Sequence, residues 1–191
     1  QQTRDAFHLA RACGMDNINM DLIAGLPGDT VEGFRATLDG VLALSPESVT
    51  VHTLSLKRSA QLFQDGAGEP EGETAAQMLD YAQSRLTGQG YLPYYLYRQS
   101  RMVGNLENIG WCLPGCESPY NVYIMDETHT ILACGAGAAT KVKRPGVDEL
   151  ERIFNFKFPY EYINRFQEVL ERKNRVKQCY EQFQGTVCPL P

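Results

Sequence analysis

The stretch NMDLIAGLPGDT, from Asn19 to Thr30, carries an acid inside an apolar run and a Gly-Pro-Gly turn directly after it. Ile18–Ile23 reads as a strand in which Asn19, Asp21 and Ile23 share one face, while Ile18, Met20 and Leu22 point the other way. Gly25, Pro27 and Gly28 then form a turn, and Asp29 or Thr30 caps a helix whose apolar stripe is Val31, Phe34, Leu38, Val41 and Leu42. Asp21 lies toward the carboxyl end of its strand, where parallel β/α proteins bind their ligands. A carboxylate there can accept hydrogen bonds from a ribose, an amine or a guanidinium. The same pattern also describes an Asp paired with an Arg inside a barrel, and the residues leave both readings open.

Working outward, Thr3 caps a first helix that Gly14 stops. SVTVHTLSL, Ser48 to Leu56, alternates and is β-branched at its start, which predicts a second strand. Residues 60–72 form a loop rich in glycine and acid, followed by a helix over 73–87 and a tyrosine-rich third strand over 91–98. Two short strands, 121–125 and 129–134, are expected to form a hairpin, and a long helix is expected from about Tyr160 to Gln182. The order α-β-α-β-α-β implies parallel strands with helical crossovers. The division expected is 1–144 for a β/α part with its β extension and 145–191 for a helical extension.

Composition narrows the classes. The chain has 191 residues, 43% of them apolar, and a net charge of −5. It has no long basic run, which argues against a nucleic-acid partner, and no stretch of membrane-spanning length. QQTRDAFHLARACG at the start lacks the apolar core of a signal peptide, so a cytoplasmic location is the default expectation. Six cysteines stand at 13, 112, 116, 134, 179 and 188, and thiols are expected rather than bridges. Cys112 and Cys116 do not complete a CxxxCxxC triplet, because position 119 is Pro, so no metal site is expected.

Other motifs are less decisive. CGAGAATK, Cys134 to Lys141, lacks the GK[ST] ending of a Walker loop and the third glycine of GxGxxG, and close packing is the favoured reading. RMVGNLENIGW, Arg101 to Trp111, reads as a surface loop. Tyr94, Tyr95, Tyr97, Tyr120 and Tyr123 read as packing residues, with a stacking platform for a flat ligand as the alternative. His52 is either a core or a site residue; His8 and His129 read as exposed.

Taken together, INMDLIAGLPGDTVEGFRATL, SVTVHTLSL and GAGAATK resemble the later part of the oxygen-independent coproporphyrinogen III oxidase group of radical S-adenosylmethionine (SAM) enzymes. YLYRQSRMVGNLENIGWCLPGCESPYNVYIM resembles its coproporphyrinogen dehydrogenase subgroup more closely still. The resemblance runs from Ala6 to about Arg172. It implies an α/β fold that is the C-terminal part of a partial (β/α)6 barrel, with a β-hairpin and a helical extension. It implies an enzyme whose [4Fe-4S] cluster cleaves SAM to a radical, so that propionates of coproporphyrinogen III become vinyl groups with loss of CO2. It assigns SAM contacts to Asp21, Ser55, Thr140 and Lys141. The substrate's carboxylates are expected at Lys57, Arg58 and Arg98, which follow or end strands.

The cluster loop and the first four strands of that pattern have no counterpart here. The expectation is therefore an inactive fragment of an active parent, binding neither cofactor alone and associating with itself through an open sheet edge. The alternatives are a haem-binding relative that lost the oxidase activity and a non-catalytic α/β binding module.

Overall fold

Thr30 closes the turn after Asp21 by accepting a hydrogen bond from the Gly33 amide at 3.0 Å, a cap worth about 1 kcal/mol. This starts α2 where the sequence places it. In the computed structural model, residues 1–55, 72–97, 104, 106–144 and 146–184 are described. In chain order the elements are α1 (Gln2–Ala12), β1 (Asn19–Ala24), α2 (Val31–Leu42), β2 (Ser48–Thr53), α3 (Gly72–Gly88), β3 (Leu92–Tyr97), β4 (Asn108–Cys112), α4 (Pro119–Asp126), β5 (Ala139–Lys143), β6 (Leu150–Phe154), α5 (Pro159–Asn164) and α6 (Phe166–Gln184). They fall into two compact units, Gln1–Pro119 and Tyr120–Pro191. The expected division after residue 144 falls between the paired strands β5 and β6.

The first unit is a mixed α/β layer. Its sheet has the order β1-β2-β4-β3. β1 and β2 are parallel, β4 is antiparallel to β2, and β3 is antiparallel to β4. Two reversals restore the direction, so β3 runs the same way as β1 and β2. α3 is thus a crossover between co-directional strands, as expected, with β4 inserted between them. The all-parallel sheet is corrected to a mixed one. The reason lies in NIGWC, read as part of a loop. Ile109 and Trp111 face the helices, while Asn108, Gly110 and Cys112 face the other way. With only two large apolar residues, alternation this short carries little signal.

Met20, Leu22, Ala24, Val49, Val51 and Trp111 pack against Phe7 of α1, Phe34 and Leu38 of α2, and Met78 and Leu86 of α3. Every helix in that core cluster therefore covers the same sheet face. Arg11 ties α1 to the start of β2, with its guanidinium 2.6 Å from both Glu47 carboxylate oxygens; Glu47 also accepts from the Ile18 amide at 2.9 Å.

The second unit departs further from expectation. Residues 121–125 are helical within α4, not a strand: Pro119 at its start favours a first helical turn, and a short apolar run cannot distinguish the two by periodicity. Residues 129–134 contribute one isolated bridge, Ile131 to Lys141, so the predicted hairpin there is not formed. The hairpin that exists pairs β5 with β6. The expected long helix is two helices, α5 and α6, separated at Arg165. Val142 and Ile153 of the hairpin pack on Cys179 of α6.

Candidate functional site

The sheet face away from the core helices carries a connected polar array. Register places Asp21, Thr50, Gly110 and Tyr95 in one row across all four strands. Side chains of alternate residues share a face, so Asn19, His52 and Tyr97 join them. Gly110 has a local reason to be glycine: a Cβ there would overlap the Tyr95 ring. Without that Cβ, the ring passes over β4 and its hydroxyl reaches Thr50 Oγ1 on the far side, at 3.2 Å.

The hydrogen bonds have a direction. Asn19 Nδ2 donates to Asp21 Oδ1 at 2.6 Å, and Thr50 Oγ1 donates to Asn19 Oδ1 at 3.1 Å. The single Thr50 proton is thereby used, so Tyr95 is the donor to Thr50. A chain of donors runs from Tyr95 through Thr50 and Asn19 and ends on the Asp21 carboxylate. Such chains polarise each member toward the charge.

The second Asp21 oxygen faces His52 Nε2 at 3.7 Å, and His52 Nδ1 lies 3.3 Å from the Tyr97 hydroxyl. The His52 ring is the main cause holding the Asp21 carboxyl below its ordinary value; partial burial works the other way, and Asn19 and Thr50 add to the lowering. Burial pushes the Tyr95 phenol up. The Tyr95 and Tyr97 rings stand nearly parallel, 6.3 Å apart. Asp21 remains 61% exposed at its side chain, so its charge is available to a ligand. It is the third of six residues in β1, central rather than terminal. Beside it, along the outer edge of β1, a cleft of about 550 Å³ is lined by Asp21, Ile23, Leu26, Arg4 and Thr37 among others.

The remaining expected residues are distributed as follows. Ser55, half-buried, lies two residues beyond β2. Lys57, Arg58 and Arg98 lie outside the described residues. Thr140 and Lys141 belong to β5 of the second unit. Thr140 is fully buried, and its hydroxyl accepts from the Ala133 amide at 3.0 Å and from Lys173 Nζ at 2.6 Å. Lys141 Nζ donates to the Ile124 carbonyl at 3.1 Å and to Glu127 at 2.8 Å. The glycine-rich loop before them is held by Asn155, which donates to the Gly135 carbonyl at 2.8 Å, and by the Gly137 amide, which donates to the Phe156 carbonyl at 2.7 Å.

Sequence reasoning did not single out Thr50 and Tyr97 as site residues and left His52 undecided. Counting by twos along SVTVHTLSL would have placed Thr50 and His52 on one face. Nothing local reveals that a later strand inserts beside them and lets Tyr95 reach across. Among the described residues, no group of three or more His, Cys, Asp or Glu is arranged to hold a metal ion. Cys112 and Cys116 accordingly supply at most two thiolates, which do not fit a cubane cluster.

No family model matches the chain. It is 43% identical over 187 residues to the oxygen-independent coproporphyrinogen-III oxidase-like protein HemZ of Bacillus subtilis (strain 168), covering 95% of this chain and 37% of that protein. It is 26% identical over 190 residues to the heme chaperone HemW of Lactococcus lactis subsp. lactis (strain IL1403), covering 96% of this chain and 46% of that one. The fold matches the solved coproporphyrinogen III oxidase (HemN) of Escherichia coli, a radical SAM enzyme, with a TM-score of 0.58 at 20% identity, over 85% of this chain and 36% of that one. The chain thus spans less than half the length of each of these relatives. Its sequence agreement with HemZ along nearly its whole length shows that the chain belongs with the oxygen-independent coproporphyrinogen III oxidase-like proteins, and its fold is that of part of HemN.

Proposed function

We propose that this chain forms one part of a radical SAM oxidoreductase that converts propionates of coproporphyrinogen III to vinyl groups in porphyrin biosynthesis. The observation that carries this reading is the Asp21 carboxylate, held ionised by His52 and oriented by Asn19 on a sheet face that the core helices leave open. A carboxylate so held accepts hydrogen bonds from the ribose hydroxyls or the ammonium group of SAM without first losing a proton. When bound, SAM with a [4Fe-4S] cluster would supply the hydrogen-abstracting chemistry. The described residues here do not provide the cluster's ligands, so this reading draws them from the rest of a protein of the relatives' length.

In this reading the sheet is the later part of a (β/α)6 barrel. Ser55, Thr140 and Lys141 remain proposed SAM contacts, and Lys57, Arg58 and Arg98 proposed partners of the substrate's carboxylates. Taken by itself, the chain is proposed to be inactive and to self-associate along the outer edge of β1. A cytoplasmic site of action is part of the proposal; among the described residues no helix is long and apolar enough to cross a membrane.

The test is made on the full-length protein after anaerobic cluster reconstitution. With SAM, a reductant and coproporphyrinogen III, vinyl-bearing product is expected, and Asp21→Ala should weaken SAM binding tenfold or more, as loss of charge-assisted hydrogen bonds of about 1.5–3 kcal/mol requires. A wild-type protein that binds SAM but forms no vinyl product, while retaining haem, would favour the second reading. That reading is a haem-handling protein, and the similarity to HemW supports it. A full-length sequence without CxxxCxxC would instead point to the non-catalytic binding module.

A further inference from the structure

His52 stands between two partners of different kinds. Its Nε2 faces the Asp21 carboxylate at 3.7 Å, and the negative charge there favours the tautomer with its hydrogen on that nitrogen. In the neutral ring Nδ1 is then an acceptor, and the Tyr97 hydroxyl, 3.3 Å away, donates inward to it. Neutral His52 therefore leaves Tyr97 with only lone pairs to offer outward, beside an Asp21 that is already negative. Among the described residues, a ligand carboxylate then meets no donor at this point. Adding one proton to His52 reverses this. Nδ1 becomes a donor to the Tyr97 oxygen, and the phenolic hydrogen is free to turn outward.

The groups facing His52 from each neighbouring strand are Asp21 and Ile23 on β1, Asn108 on β4, and Tyr97 on β3. Among them Asp21 is the only charged one. His52 is also the only residue of the polar array able to become a cation. The array therefore has a fixed anion at its β1 edge and a hydroxyl of reversible polarity at its β3 edge, with parallel tyrosine rings alongside.

We propose that Tyr97 and His52 form the docking point for a carboxylate of the tetrapyrrole ligand, and that docking there takes up one proton at His52. This rests on the reading of the chain as part of a tetrapyrrole-handling protein and adds to it a residue pair, a ligand group and a proton. The proton passes from solvent to the imidazole, no covalent bond to the ligand forms, and the Tyr97 hydrogen stays on its oxygen while its hydrogen bond moves from His52 to the ligand.

The test uses the full-length protein and coproporphyrin III, a stable tetracarboxylate followed by its fluorescence. In wild type, affinity should fall as pH rises, approaching about tenfold per pH unit at its steepest, as uptake of one proton requires. Calorimetry in two buffers of different ionisation heat should show the same uptake. His52→Gln, which cannot take the proton, should flatten the profile. Tyr97→Phe, which keeps the ring and removes only the hydroxyl, should bind the porphyrin several-fold more weakly while SAM affinity stays within twofold. A wild-type protein that binds no coproporphyrin overturns the tetrapyrrole reading and this inference with it. Binding with a flat wild-type profile, or a His52→Gln protein that keeps the slope, or a Tyr97→Phe protein with unchanged affinity, overturns the docking point and leaves the broader reading standing.

Discussion

Tyr95 lies across β4 directly over Gly110, and this crossing joins the outermost strand β3 to Thr50 on β2. A methyl group at position 110 would occupy the space of the ring. Gly110→Ala should therefore destabilise the first unit by about 1–3 kcal/mol, the usual cost of overpacking. The pair should couple: with Tyr95→Ala already present, adding Gly110→Ala should cost much less than in wild type. Urea unfolding of the four members of this cycle measures it, and strict additivity would show that the crossing carries no strain.

Glu47 offers a stability switch in acid. Burial opposes its ionisation, but the Ile18 amide and the Arg11 guanidinium outweigh that and lower its pKa. The folded value is thus below the unfolded one. The stabilisation is fully present above the unfolded value, roughly 4.3, and is lost as pH falls through the folded value. Glu47→Gln should cost about 1.5–3 kcal/mol at pH 7, from weakened charge-assisted hydrogen bonds, and the difference from wild type should shrink toward pH 3. Denaturation midpoints between pH 3 and 7 provide the comparison.

Thr140 anchors the second unit from within. Its buried hydroxyl accepts from both the Ala133 amide and Lys173, whose ammonium burial disfavours. Thr140→Val preserves shape and removes both acceptor contacts. A loss of about 1–3 kcal/mol is expected for the donors left unpaired, whereas Thr140→Ser should keep most of the stability. Equal stabilities for the Val and Ser variants would argue against the hydroxyl's role.

The cysteines should divide by reactivity. Cys112 is buried and its thiol is pushed up to about 11, chiefly by burial, with Glu117 adding to it; Cys179 is also buried and raised. Cys13 and Cys134 are exposed. Brief iodoacetamide treatment of the folded protein at pH 8, read by peptide mass, should label Cys13 and Cys134 and spare Cys112 and Cys179. Between the ordinary thiol value near 9 and about 11, folded Cys112 keeps a proton that the unfolded chain has lost, so stability should decline across that window.

The sequence by itself determined what depends on near neighbours. The 3.6-residue stripe over 31–42, the Thr30 cap, the alternation in NMDLIA and the placement of Asp21 opposite Met20 and Leu22 all follow from periods of a few residues, and the structure reproduces them. Motif order also carried the family. What only the tertiary structure decided is partner choice between distant strands. Asn108–Cys112 becomes a strand because the space between β2 and β3 is open to it, and no pattern within five residues encodes that space. Asn121–Met125, equally short and more apolar, becomes helix behind Pro119, and its periodicity alone could not tell the two states apart. The candidate site divides in the same way. Asn19 and Asp21 were visible on one strand, whereas their links to Thr50, His52, Tyr95 and Tyr97 span 31 to 45 positions and exist only once the sheet has assembled. Hydrogen bonds between side chains depend on distance in space, and for residues this far apart in the chain only the completed fold sets that distance.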